Sequence, residues 1–309
     1  MGLRLYLNIF GIVSALIAVS FYLYPEFDGH LHSTLGPFLQ YSSLWLKTSP
    51  NELTIDTIAA AYRKGCPDHK FGSISILSRS PQLLIIENFV TPVEAEFLIK
   101  TAYSRPTPTA DFSEPLFGKS EVVQGFKSTK KQRDSWSAYL NIPSNITDTD
   151  IVVNCIEQRA RAFQGFPPIE NMEPLQVVKY TDNGQFREHY DWLPAHVPSI
   201  AKSGNRLTSY FVYLRAECRG GTTIFPRLER PKGREWCKVL KCRDDKGKSQ
   251  AAVEVRPKVG RAVFWYNLEV NGEVDMHTLH AGTPVVNGSK FGLNIWTRQR
   301  GWRNQAFGN

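Results

Sequence analysis

No Cys-x-x-Cys pair occurs among the 309 residues, so the five cysteines, Cys66, Cys155, Cys218, Cys237 and Cys242, do not have the spacing of a structural zinc site. No nucleic-acid-binding motif accompanies the net charge of +8. The basic excess therefore reads as a solvated surface, and no nucleic acid is expected as a partner. Strongly polar side chains are all but missing from residues 5–24 (LYLNIFGIVSALIAVSFYLY), where Asn8 stands alone. At about 1.5 Å per residue, a helix of that length spans roughly 30 Å of hydrocarbon. Arg4 precedes the run and Glu26 and Asp28 follow it; the positive residue alone bears on orientation and favours a cytoplasmic N-terminus. Residues 1–24 are thus expected to form an uncleaved signal anchor, a transmembrane helix with the rest of the chain in a lumen. The rival is a cleavable signal peptide cut at the small-x-small site Ala18-Val19-Ser20, which would make the protein secreted, although the apolar run continues past that point.

What is present is core-forming material: 42% apolar residues with 12% aromatics suffice for one large or two ordinary domains. Residues 25–81 are weakly patterned and read as a stem or linker with one helical candidate at 55–64. A domain over 82–309 opens on the apolar run QLLIIENF, followed by Thr91-Pro92-Val93-Glu94, which supplies a cap, a proline at the first helical position and a capping-box glutamate. That helix should end near Tyr103. Residues 104–137, rich in Pro, Ser, Thr and Lys, read as a long loop, either a functional lid or a disordered insertion. Asp148-Thr149 then caps a helix over 151–163, with Val152, Cys155, Ile156, Ala160 and Phe163 on one face. After Pro174, strands are predicted over 175–180, 208–214, 252–256, 262–266 and 290–298. Two helices followed by many short strands give an α+β, mainly β class: a double-sheet jelly roll, or double-stranded β-helix, braced by N-terminal helices.

An odd cysteine count leaves at least one thiol free, and Cys237 and Cys242 are close enough for a local bridge. Asn145-Ile-Thr147 is a sequon in a polar stretch suited to a surface loop. Residues 227–248 hold nine Lys/Arg against four Asp/Glu, a net +5, which reads either as a guide for an acidic substrate or partner or as an exposed hairpin insertion.

The chemistry gathers in two stretches. His189 and Asp191 are two residues apart, so on an extended segment both leave the same face and can hold one ion. Adding His280 gives two imidazoles and one carboxylate, a set that leaves three octahedral positions open and suits non-haem Fe(II) binding a co-substrate and O2. Further along, Lys290, Gly292, Asn294 and Trp296 share one strand face: a cation, a gap and an aromatic wall. Tyr180 ends the preceding strand with its hydroxyl available as a donor, and Gly184 provides a turn before the ligand strand.

The pattern Y-x3-G-x-[YF]-x2-H-x-D from Tyr180, T-x4-Y-L from Thr208, GGTTIFP, V-x-P-x-x-G-x-A and H-A-G-x-P-V-x-x-G-x-K from His280 resembles the prolyl 4-hydroxylase branch of the 2-oxoglutarate- and Fe(II)-dependent dioxygenases. The resemblance covers residues 83–300. It implies that His189, Asp191 and His280 are iron ligands and catalytic through the metal, that Lys290 pairs with the distal carboxylate of 2-oxoglutarate, and that Tyr180 and Trp296 line its pocket. His277, three residues from His280, faces the other way on a strand and lacks the family's ten-residue spacing to the lysine. The cofactors implied are Fe(II), 2-oxoglutarate, O2 and ascorbate. The reaction implied is hydroxylation of a C–H bond, foremost that of a peptidyl proline, with decarboxylation of 2-oxoglutarate to succinate. Arg206 and Phe186 are the candidates for substrate contact, Phe186 standing where relatives often have tyrosine. The implied setting is the endoplasmic reticulum membrane, single-pass type II with a lumenal catalytic domain. Two alternatives stand beside this reading: the same chemistry on a non-proline or small-molecule substrate, and a non-catalytic module that binds through the basic insertion.

Overall fold

Alternate residues of the same strands serve two different cores, and this period of two sets the architecture. The computed structural model describes residues 54, 57–104, 117–120, 132–140, 148–244 and 246–303, without the side chains of 148–150. In chain order the elements are α1 (Ile58–Tyr62), β1 (Ile74–Arg79), β2 (Gln82–Ile86), α2 (Pro92–Ser104), β3 (Gly118–Lys119), β4 (Arg133–Asp134), β5 (Trp136–Tyr139), α3 (Asp148–Phe163), β6 (Gln176–Tyr180), β7 (Gln185–His189), α4 (Pro198–Ser203), β8 (Arg206–Gly220), β9 (Thr223–Glu229), β10 (Ala252–Val255), β11 (Ala262–Tyr266), β12 (His280–Gly282) and β13 (Val285–Arg298). The strands form an eight-stranded sheet, β1-β2-β11-β8-β13-β6-β5-β3, and a five-stranded sheet, β10-β9-β12-β7-β4. The described chain is mainly β.

On one side of the large sheet, Leu84, Ile86, Tyr210, Val212, Phe264 and Leu293 pack in a single buried cluster with Phe97 and Leu98 of α2 and Val152 and Ile156 of α3. Their strand neighbours Leu83, Ile85, Phe211, Tyr213, Val263 and Trp265 point the opposite way and meet Phe225, Val253 and Val255 of the small sheet. Each fully buried side chain of this size contributes about 1.5–3 kcal/mol. Helices, large sheet and small sheet therefore stack as three layers, with the second core between the sheets.

The N-terminus of α2 is built as its residues predict. Glu94 N–H donates to Thr91 Oγ1 at 3.2 Å, and Thr91 N–H donates to Glu94 Oε2 at 2.7 Å. The same carboxylate accepts both terminal nitrogens of Arg159 from α3, at 2.6 and 3.0 Å, and the hydroxyl of Tyr62 from α1. Burial alone would raise the Glu94 pKa, but the Arg159 contacts outweigh it and hold it below the usual carboxylate range.

Several boundaries differ from the reading of the sequence. Leu53–Asn309 belong to one compact unit, and residue 82, the expected start of the domain, lies within it. There β1 pairs with β2, and a disulfide joins Cys66 to Cys155 of α3. The expected signal anchor at residues 1–24 and the sequon at Asn145 lie outside the described residues. Among the described residues no helix is long and apolar enough to cross a membrane. Within 104–137, read as one loop, lie β3, β4 and the start of β5, strands of two to four residues that are too short to register as a period.

Because the Cys66–Cys155 bridge closes a long loop, replacing both cysteines with serine should lower unfolding free energy by about 2–4 kcal/mol in a denaturant titration. An unchanged midpoint would show that α1 is held by packing alone.

Candidate metal centre and co-substrate pocket

His189 closes β7 and His280 opens β12, and the two residues face each other across the ladder. The turn that feeds β7 closes too tightly for a side chain at Gly184, where a Cβ would lie 2.7 Å from Thr181 O and 3.0 Å from Asp134 O. His189 Nδ1 lies 2.7 Å from Arg187 O, and His280 Nδ1 lies 2.9 Å from Thr278 O. A carbonyl only accepts, so each neutral ring carries its proton on Nδ1 and presents the Nε2 lone pair. Both Nε2 atoms stand 3.9 Å from Asp191 Oδ1, while Oδ2 accepts the Trp296 indole N–H at 2.9 Å. One donor atom from each of the three residues lies within 4.8 Å of the others.

The electrostatics favour ligating forms. Burial, followed by the nearby His280 imidazole, pushes His189 well below the ordinary imidazole range and keeps it neutral. Burial would raise Asp191, but His280, Arg206 and His189 outweigh it and bring the carboxyl down to about 2. Two imidazoles and one carboxylate, with no thiolate among them, fit Fe(II) with positions left open. His277 stands apart from this cluster: its side chain is exposed, and both its backbone N–H and its ring sit against Asp275 Oδ1.

Lys290 on β13 lies opposite Tyr180 on β6. It is only 1% exposed, and its ammonium donates to Gly221 O at 2.8 Å, above the rings of Tyr180 (4.5 Å) and Phe211 (5.3 Å). No carboxylate pairs with it among the described residues. Burial accordingly lowers its pKa to about 8, with Cys218 opposing. An unpaired cation in the second core fits an anionic co-substrate, which would supply the missing charge. Burial raises the Tyr180 pKa against the pull of Arg133 and Ser135, so its hydroxyl stays protonated beside this pocket. At Gly292 a Cβ would lie 2.3 Å from the Phe211 ring, so the missing side chain is what lets that ring lie under Lys290.

Arg206 and Phe186, the two residues expected at the substrate, both pack beside the metal ligands or their supports. Arg206 donates Nε and Nη2 to Glu173, each at 2.8 Å, and its guanidinium stacks 3.7 Å above Trp296. Its fork is therefore committed to Glu173, and it acts on Trp296, which in turn holds Asp191. Phe186 stacks on His189 with 3.4 Å between ring centroids and lies beneath the Arg133 guanidinium at 4.4 Å. Phe225 and Trp265 wall the other imidazole, 5.5 and 4.8 Å from His280. Arg133, Glu173 and Phe225 escaped the reading of the sequence. None belongs to a short-range spacing with the ligands, and Arg133 comes from the stretch taken for a loop.

Residues 175–298 match the family model described as the 2OG-Fe(II) oxygenase superfamily. Human prolyl 4-hydroxylase subunit alpha-1 is 30% identical over 224 residues, which is 72% of this chain and 35% of that protein. Probable prolyl 4-hydroxylase 8 of Arabidopsis thaliana is 28% identical over 274 residues, 85% of each chain. A viral collagen prolyl hydroxylase from Paramecium Bursaria Chlorella virus-1, solved with 2OG, aligns with 22% identity and a TM-score of 0.46 over 70% of this chain and 95% of its own. This chain is thus similar to prolyl 4-hydroxylases over most of its own length, and it spans about a third of the length of the animal relatives it matches.

The lowered Lys290 pKa makes two measurable statements. Between about 8 and the unfolded value near 10.4, the unfolded chain holds the extra proton, so fold stability rises with pH in that window. Affinity for 2-oxoglutarate should run the other way, falling as pH rises through about 8 and the ammonium is lost. Lys290→Met should bind 2-oxoglutarate about 30-fold or more weakly, without that pH dependence and without loss of thermal stability. Calorimetric affinity that is flat from pH 7 to 9 would overturn this.

Proposed function

We propose that this chain is a prolyl 4-hydroxylase-like dioxygenase that uses Fe(II), 2-oxoglutarate and O2 to hydroxylate a proline within a polypeptide, releasing succinate and CO2. The observation that carries the reading is the buried Lys290, lacking a carboxylate partner, in the same inter-sheet core as the His189, Asp191 and His280 cluster. His189, Asp191 and His280 would hold the iron, which when bound supplies the oxidising chemistry. The two sheets are read as the double-stranded β-helix that carries such a site.

The chain's own residues bind, orient and exclude water. Lys290 would take the distal carboxylate of 2-oxoglutarate by charge, with the protonated Tyr180 hydroxyl as a hydrogen-bond donor beside it. Nδ1–H donation to the carbonyls of Arg187 and Thr278 fixes both imidazoles in the ligating tautomer. The Glu173–Arg206–Trp296 stack keeps Oδ2 of Asp191 engaged, so Oδ1 remains turned toward the two Nε2 atoms. Phe186, Phe225 and Trp265 pack against the imidazoles and shield the reacting region from water. Ascorbate would serve to keep the iron ferrous.

The same proposal sets the enzyme in the endoplasmic reticulum, anchored by residues 5–24 as a type II membrane protein with its catalytic part in the lumen. Two disulfides, Cys66–Cys155 and Cys237–Cys242, support an oxidising compartment.

The test is succinate formation by the full chain with Fe(II), 2-oxoglutarate and ascorbate, with and without a proline-rich peptide. Peptide-stimulated succinate, a mass gain of one oxygen on proline, and loss of both in Asp191→Ala are expected. Stimulation by free small molecules alone, or none from folded, iron-loaded protein, would refute the prolyl assignment.

A further inference from the structure

The excess charge of residues 227–248 has a definite place in the fold. Strand β9 pairs with β12 through Ile224 and Ala281 and through Thr223 and Gly282, so beyond Phe225, which stacks on His280, it runs past the ligand end of β12. Arg227 then donates to Met276 O at 3.0 Å and lies over the Tyr190 ring, next to Asp191. The chain continues into the connection between β9 and β10, which the Cys237–Cys242 disulfide cross-links. Here Arg230, Arg234 and Arg243 line an open cavity of about 530 Å³ with that disulfide in its wall.

The groups around the cavity are largely fixed and leave cationic surface. Arg230 donates Nε to Gln250 O and Nη1 to Pro231 O, both at 3.0 Å, and Arg243 donates Nη1 to Gly247 O at 2.7 Å. Two carboxylates stand near the three guanidinium groups: Asp244 accepts the backbone N–H groups of Lys246 and Lys248, and Glu235 lies over Gly233, which leaves the arginines in excess. Arg234 and Arg243 are exposed, and neither is ion-paired among the described residues. Planar guanidinium groups suit carboxylates, which they grip with two parallel hydrogen bonds. The volume exceeds what a single small anion needs and lies in the range of pockets that take larger ligands.

We propose that this cavity is an accessory site for a carboxylate-bearing segment of the polypeptide substrate, which reaches it along β9 while the target residue sits at the metal centre. This rests on the polypeptide reading given above. Arg230 follows Phe225 by five residues, and the strand bulges between them, with Phe225 and Glu229 facing the adjacent β10 residues Val253 and Ala252, so the span is at most about 16 Å at roughly 3.3 Å per residue and the acidic side chains fall within about five positions of the target.

Two assays on the full chain test it. In the first, fluorescence anisotropy follows binding of a labelled Glu-rich peptide that lacks proline; Arg234→Gln with Arg243→Gln should weaken it about tenfold, and Arg234→Gln alone severalfold. In the second, succinate formation compares proline peptides carrying a Glu block or a Gln block five residues from the proline, on either side. The Glu block on one side should lower KM about tenfold at unchanged kcat, and the double variant should erase that advantage. Turnover on the Gln peptide and KM for 2-oxoglutarate should not move. Equal binding and equal KM for Glu and Gln peptides in wild-type protein would overturn the proposal, as would a sulfated oligosaccharide or inorganic phosphate binding in an Arg234-dependent way where the Glu peptide does not. Variant-sensitive binding without turnover of any proline peptide would keep the acidic-segment site and sink the prolyl hydroxylase reading instead.

Discussion

A lysine ammonium enclosed between two sheets, with a backbone carbonyl as its hydrogen-bond acceptor and no carboxylate in reach among the described residues, is the constraint on which the site depends. Such a charge destabilises the empty fold, because burial disfavours the charged form and nothing opposite it compensates. The neighbouring sequence is adapted to hold it. Gly221 has φ +61°, in the left-handed region, and turns its carbonyl onto the ammonium, while a Cβ on Gly221 would press on the Lys290 stem at 3.2 Å. Gly292 yields its side-chain space to Phe211, whose ring forms part of the floor. A protein does not keep an uncompensated interior cation for stability, and its presence is explained by an anion that arrives from solution.

The metal ligands depend on a different kind of support. Asp191 has two oxygens with separate tasks, and the division is imposed by Trp296, which claims Oδ2. Trp296 is in turn covered by Arg206, and Arg206 is locked by Glu173, which Arg298 also reaches. Two carbonyls do the same for the histidines by taking the Nδ1 protons. Each ligand atom therefore faces the centre because the atom beside it is already bonded elsewhere.

The parts of the site that rest on the period of a strand were legible before the structure. The series Lys290, Gly292, Asn294 and Trp296 depends only on alternation within one strand, and β6 and β13 bring Tyr180 and Lys290 opposite each other, while Asp191 meets His189 at one centre from two residues past the end of β7. The capping box at Thr91 and Glu94 is equally local. What escaped is what arises between segments. Glu173 is 33 residues from Arg206 in the chain, and Phe225 meets His280 only because β9 and β12 are neighbours in the small sheet. Strand β1 escaped for another reason: as an edge strand with mostly exposed or half-buried positions it carries no amphipathic signal.

The most direct measurement is anaerobic titration of the metal-free chain with Fe(II), with bound iron quantified in wild-type protein, Asp191→Ala, His280→Ala and His277→Ala. One tightly held iron in the wild type and in His277→Ala, and its loss in the other two, is the result a site built from His189, Asp191 and His280 predicts. Iron retained undiminished in Asp191→Ala, or lost with His277, would contradict it.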